Sequence, residues 1–168
     1  MDGNQIRSWG DKMAVVLGRF LWRVGSGIWL GTILFFSLVV TPAIFLELPL
    51  PEASHLLLRI FPAYYGVGLW SGGLALVGSV LHGWYASGRR AWLLFIESLL
   101  AWILVVYVER LLSIMKRLST TSSRFAHLHG ESVMINTVIG VILLAGFILE
   151  SWLLNPYPGW GDAKKPPV

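Results

Sequence analysis

The chain has 168 residues, 55% of them hydrophobic and 13% charged, with a net charge of +4 and no cysteine. A soluble domain carries about 25% charged residues, so this composition excludes an ordinary water-soluble fold, and the length leaves room for one domain and no separate soluble module. Without cysteine there are no disulfides, no thiolate-bound zinc and no thiol redox chemistry. The basic residues flank apolar stretches, where they orient a membrane protein and meet anionic lipid, so the positive charge does not point to nucleic acid.

In chain order, the first element is Trp9–Arg23. Trp9, Met13, Val16, Leu17 and Phe20 fall on one helical face and Lys12, Arg19 and Arg23 on another, the pattern of an amphipathic helix lying among lipid headgroups. Val24–Leu46 follows as a first membrane span. Thr41-Pro42-Ala43 loosely resembles a signal-peptide cleavage site, but the apolar run before it exceeds the 7–15 residues of a typical h-region, so a retained span is expected. Pro42, Pro49, Pro51 and Pro62 punctuate the connection around Glu47–Phe61 and predict a broken or re-entrant segment.

Ile60–Gly88 is a second span without one Lys, Arg, Asp or Glu. The short connection Ala86–Arg90 makes an antiparallel hairpin with the third span, Ala91–Val108, whose lone charge is Glu97. No Gly or Pro occurs from Ala91 to Thr120, so this helix is expected to continue past the bilayer through Leu111, Leu112, Met115 and Leu118, until Ser119-Thr120-Thr121-Ser122-Ser123 ends it. Ser132–Leu149 is the fourth span, and the Pro- and Gly-rich tail from Asn155 reads as mobile. At ~1.5 Å per residue each span crosses or nearly crosses a ~30 Å hydrocarbon core. The expected fold is all-α: a membrane-embedded antiparallel four-helix bundle (24–154) with an N-terminal interfacial amphipathic helix (1–23) and a C-terminal tail (155–168).

Four crossings put both termini on one side. That side carries Arg7, Lys12, Arg19, Arg23, Arg89, Arg90, Lys164 and Lys165, against Arg59, Arg110, Lys116, Arg117 and Arg124 on the other, which predicts cytoplasmic termini in a bacterial inner membrane. Trp22, Trp84, Trp92 and Trp152 are expected near the cytoplasmic interface and Tyr64, Tyr65 and Tyr107 toward the outer one. Ser71, Ala75, Ser79 and Gly83 at four-residue intervals, with Gly27 and Gly31, predict close helix approach within the bundle, or a homodimer through one of these faces.

Polar groups within spans are costly and mark the candidate functional residues. His82 falls on the close-packed face of span two, as an interface histidine or a weak candidate for haem or metal. Glu97 is a structural carboxylate or part of a proton or ion pathway. His129, Asn136, Gly140, Leu143, Phe147 and Glu150 form one stripe on span four. His127 and His129 make an H-x-H pair, a weak candidate for copper or zinc because alternate helical residues face apart. His129 is otherwise expected to anchor the start of span four, with Ser132 satisfying free amides. His82, Glu97 and Glu150 are expected to gather at the cytoplasmic end, with His82 and Glu97 facing each other and Arg89 or Arg90 beside Glu150. Nucleotide-binding, hydrolase and zinc-protease motifs are missing.

Trp29-Leu30-Gly31 followed by Phe35-Phe36, then Pro42-Ala43-Ile44-Phe45, Phe61-Pro62 with Tyr64-Tyr65, and Phe125-x-x-Leu128-His129-Gly130-x-Ser132-x-x-x-Asn136 together resemble the transmembrane protein 205-like family over Val24–Leu154. These are small four-span proteins whose bacterial members form a domain of unknown function. The resemblance implies that Pro42, Phe45, Phe61, Pro62, His129, Ser132 and Asn136 gather near the outer ends of spans one, two and four. More remotely, the architecture is similar to copper-resistance D-like membrane proteins, in which histidine ligation of haem or copper is considered; His82 and His129 are expected toward opposite faces, against one haem between them. The leading expectation is a non-enzymatic integral membrane protein without a cofactor, contacting lipid and acting as an accessory subunit of a larger complex or as a small transport or resistance factor. The alternative is a histidine-ligated haem or copper protein of electron transfer.

Overall fold

The computed structural model describes residues 9–86 and 92–153, and within them every regular element is helical. α1 (Trp9–Phe35), a π-helical turn (Phe36–Val40) and α2 (Thr41–Glu47) run on as one unit, followed by α3 (Leu50–Tyr85), α4 (Leu93–Met115) and α5 (Ser123–Leu153). All four units are long and apolar enough to cross a membrane. Residues 87–91, which include Arg89 and Arg90, and the tail fall outside the described residues.

The amphipathic opening is not set apart as a helix of its own. α1 continues through it without a break because Gly18 and Trp22 are already buried in the bundle. The prolines also break less than their number suggests. Pro42 has no N–H and its ring crowds the carbonyl a turn earlier; the widened turn at Phe36–Val40 lies just before it, and α2 resumes with Pro42 in its first turn. Pro51 occupies the first turn of α3, where a missing donor costs nothing, and Pro62 is carried inside α3. Only Pro49 ends a helix: Leu48 before it is extended (φ −121°, ψ 144°), as the pre-proline clash requires. The expected re-entrant segment is therefore a two-residue joint, and α3 begins at Leu50 rather than Ile60.

Neighbours in sequence pack as neighbours in space, and α5 returns to meet α1 along a sparser seam. The α1–α3 pair is closest. A Cβ on Gly78 would lie 2.4 Å from the Trp22 nitrogen, one on Gly25 2.4 Å from the Ser71 carbonyl oxygen, and one on Gly18 2.6 Å from the His82 nitrogen. Backbone thus lies on backbone. Ser71, Ala75 and Ser79 are buried there as the spacing predicts, but their partners on α1 are Gly18 and Gly25; Gly27 and Gly31 are exposed. Beyond this contact, Trp29 fills the notch left by Gly68 and Gly72 of α3.

α4 ends at Met115 and does not protrude alone. Leu111, Leu112 and Met115 are buried, and the last two join Leu57 of α3 and Phe125 of α5 in the core. Ser122 caps α5 by accepting the Phe125 N–H at 3.1 Å. His129 consequently lies inside α5 rather than at its start, and the Ser132 hydroxyl donates to the His129 carbonyl (2.7 Å) instead of serving free amides. Among the aromatic residues, Trp84 and Trp152 are exposed and Trp84 sits 6.4 Å from Trp92. Trp22, Tyr64 and Tyr65 are instead buried, which removes them from the expected interfacial belts. Tyr107 is exposed and donates to Glu131 at 2.7 Å.

Candidate functional site

Two polar regions lie at opposite ends of the bundle. At the end formed by α2, the first half of α3 and the first half of α5, two adjoining hollows of about 270 and 220 Å³ share Phe45, Leu57, Phe61 and His129 as common walls. Together they form a groove along the seam between α2 and α5, floored by α3. Leu50, Pro51, Ser54, Thr120 and Thr121 line its shallow end. Tyr64, Tyr65, Ser132, Asn136 and Thr137 line its deep end. Ser37, Val133 and Thr137 on the rim are exposed, so the deep hollow opens sideways.

Aromatic rings shape this groove. Phe36 packs on Tyr64 with centroids 4.5 Å apart, Tyr64 on Tyr65 at 5.0 Å, and His129 sits between Phe61 (6.2 Å) and a stacked Phe125 (6.1 Å). The Tyr64 hydroxyl donates to Asn136 Oδ1 at 2.9 Å, which leaves the Asn136 amide N–H groups as donors. His129 Nδ1 is buried without a hydrogen-bond partner among the described residues. Of the residues expected to gather here, Phe45, Phe61, His129, Ser132 and Asn136 line the groove; Pro42 and Pro62 do not, although Thr41 beside Pro42 does.

The other end joins the start of α1 to the ends of α3 and α5 and the start of α4. Glu150 is buried and accepts hydrogen bonds from Arg19 Nε (2.9 Å), Arg19 Nη2 and Arg23 Nη2 (2.7 Å). Glu97 Oε2 accepts from Trp22 Nε1 (3.2 Å) and from the Ser98 hydroxyl (3.1 Å), while Oε1 rests in the notch of Gly146, where a Cβ would come within 2.8 Å of it. His82 is buried beside Val15 and Arg19. The three residues share an end of the bundle, but the expected His82–Glu97 pair does not form, because α1 inserts Trp22 and Arg19 where the pair was to meet. Among the described residues Arg19 and Arg23, i and i+4 on α1, are the cations opposite Glu150, while the expected Arg89 and Arg90 lie outside the described residues. The role of Arg19 and Arg23 was legible from depth: the start of span one and the end of span four lie at the same level in a four-span bundle.

His82 and His129 fall at these opposite ends, so they do not face each other across one haem site. His127 is exposed and points away from His129, and no group of three or more His, Asp or Glu residues forms a metal-binding cluster among the described residues. The groove has no charged lining residue apart from the titratable His129. Its chemistry is apolar contact with a few hydrogen bonds.

No solved structure matches the chain. An uncharacterized protein of Aquifex aeolicus (strain VF5) is 28% identical over 142 residues, covering 83% of this chain and 94% of that protein. The family described as Domain of unknown function (DUF4149) matches residues 24–120, which take in the first membrane-spanning unit from residue 24 onward, the whole of the second and third, and two of the three walls of the groove. The chain belongs to the DUF4149 family.

Proposed function

We propose that this integral membrane protein is a small, non-enzymatic transport or resistance factor of the bacterial inner membrane, which takes uncharged lipophilic molecules into the groove between α2 and α5. The observation that supports this reading is a groove without a charged wall that opens sideways between helices long and apolar enough to cross a membrane. A site for a water-soluble ion or a phosphorylated substrate needs fixed charge and an aqueous mouth; this one is suited to a molecule already dissolved in the bilayer. The balance of flanking basic residues supports cytoplasmic termini, which turns the groove toward the outer leaflet. The resemblance to the transmembrane protein 205-like family supports the four-span reading and adds no reaction to it.

Cells lacking the protein are expected to be more sensitive to uncharged lipophilic growth inhibitors. The intact chain should restore resistance, and Ala126→Trp, which narrows the groove at an exposed position, should not. Equal sensitivity with and without the chain would overturn the reading.

A further inference from the structure

The groove reverses the polarity of a membrane phospholipid. A phospholipid carries its polar group outermost and its chains toward the midplane. Here the shallow end is mainly apolar, with Leu50, Pro51 and Leu58, and its Ser54 and Thr121 hydroxyls are bonded locally, whereas the amide of Asn136 and the hydroxyls of Ser132 and Thr137 lie deep. Asn136 is thirteen residues into α5, about 20 Å along the helix from its start. A phosphate head placed there would lie in hydrocarbon opposite no cation, and a phospholipid entering chain-first would put apolar chains on the donors.

The deep end also has a definite hydrogen-bonding sense. The Tyr64 hydroxyl is engaged by Asn136 Oδ1 and the Ser132 hydroxyl by the His129 carbonyl. The donors left facing the groove are the Asn136 amide N–H pair and the hydroxyls of Tyr65, Ser37 and Thr41, with the imidazole of His129 along the wall; of these the Asn136 amide is the one that carries two N–H groups. Donors at the deep end call for an acceptor on the occupant. The rings of Phe36, Phe61, Tyr64 and Tyr65 pack on one another with centroids 4.5–5.9 Å apart and present a continuous aromatic wall for a flat group to lie against, and the hollow beside it has a volume of about 220 Å³.

We propose that the groove binds an uncharged, lipid-soluble carbonyl compound built as a flat ring with an apolar tail, the chemistry of a prenylated quinone. The ring lies deep in the hollow against the aromatic wall, a carbonyl oxygen accepts from the Asn136 amide, and the tail leaves along Phe45 and Leu57. This deepens the functional reading above and rests on its groove. No electron or group transfer is assigned to the site.

The test uses the full chain in phosphatidylcholine nanodiscs, photolabelled with an azido-benzoquinone bearing a ten-carbon tail. Labelling is expected on peptides from α2, α3 and the first half of α5, and to be displaced by the unmodified decyl quinone but not by equimolar decanol or phosphatidylglycerol. Asn136→Leu should weaken displacement by the quinone about tenfold, the loss of one good hydrogen bond to the ligand. Asn136→Ala, which also lacks the amide donors, should weaken displacement likewise and holds the test open if Asn136→Leu does not fold; Gly31→Ala, outside the groove and with nothing within 4 Å of an added methyl, should leave displacement unchanged. Displacement by decanol as readily as by the quinone would show an apolar groove without recognition of the ring, overturning this proposal and leaving the functional reading intact. Displacement by phosphatidylglycerol, or an unchanged affinity in folded Asn136→Leu, would overturn it equally. No saturable labelling by quinone or alcohol would remove the groove as a site and the functional reading with it.

Discussion

At the scale of single residues, Glu150 with Arg19 and Arg23, Glu97 with Trp22, and Asn136 with Tyr64 are bonded across helices and each ties two spans together, whereas Ser71, Ser79 and Ser132 bond carbonyls of their own helices. Asn136→Ala removes the acceptor of the Tyr64 hydroxyl, and interhelical hydrogen bonds of this kind contribute ~0.6–2 kcal/mol in membranes; unfolding in a graded detergent mixture should register a loss in that range. Glu150 matters more, because it holds two arginines. Glu150→Leu strands the half-buried Arg19 and is expected to cost about 1–3 kcal/mol, the penalty for an unsatisfied charged group, whereas Glu150→Gln keeps an acceptor and should cost less in the same assay. Gly146 and Glu97 form a lock of a different kind. Gly146→Ala drives a methyl against the carboxylate, so Gly146→Ala and Glu97→Asp are expected to be non-additive by more than 0.5 kcal/mol in a double-mutant cycle.

At the scale of elements, glycine acts where backbones touch. Gly78→Ala would put a methyl 2.4 Å from the Trp22 nitrogen and 2.6 Å from the Gly18 carbonyl oxygen, contacts that only a shift of one helix can relieve. A loss of ~1–3 kcal/mol is expected, as for other overpacked interfaces, and the thermal midpoint should report it. Gly31→Ala serves as the control, since a methyl there meets nothing within 4 Å and removes a flexible residue from a helix; its midpoint should hold or rise. The sequence revealed that small residues on span two mediate the approach, because Ser71, Ala75 and Ser79 recur at helical spacing. It misdirected the choice of partner, since Gly18 lies in a stretch whose charges suggest a headgroup helix, and spacing alone does not say which face of α1 meets α3. Pro42 and Pro62 were likewise readable as prolines but not as helical ones: whether a missing N–H ends a helix or is absorbed by a widened turn depends on what surrounds it.

For the whole molecule, the number of spans and their apolar character followed from charge-free runs, which water would not tolerate and lipid requires. Their ends did not. α3 and α5 begin well before their charge-free stretches because the outer turns are held by packing around Leu57, Met115 and Phe125 rather than by hydrophobicity along the chain. The candidate site was partly visible as the scattered Phe45, Phe61, His129, Ser132 and Asn136; what brought them together is the short Leu48–Pro49 joint, which folds α2 back beside α3. Topology gives a direct prediction for a chain without native cysteine: single cysteines at Ser8 and Lys164 should be labelled by an impermeant maleimide only in inside-out vesicles, and one at Ser122 only in right-side-out vesicles. Labelling of Ser8 and Ser122 from the same side would require an even number of crossings between them, in place of the three described.

The glycine contact between α1 and α3 also sets where the bundle can breathe. At Gly18, Gly25 and Gly78 the two helices are seated backbone on backbone, with no rotamer change to relieve a shift, so that edge behaves as a rigid spine; sliding by one residue would drive Leu21 or Trp22 into Gly78. The α2–α5 seam on the far edge meets through side chains and an open hollow, and is the compliant part of the wall. Motion that widens the groove therefore has to be a swing of α5 about its Arg19–Glu150 end, with α1 and α3 moving as one body. Amide hydrogen exchange should follow this division, slowest along Gly18–Gly25 and Ser71–His82 and fastest at the outer turns of α5.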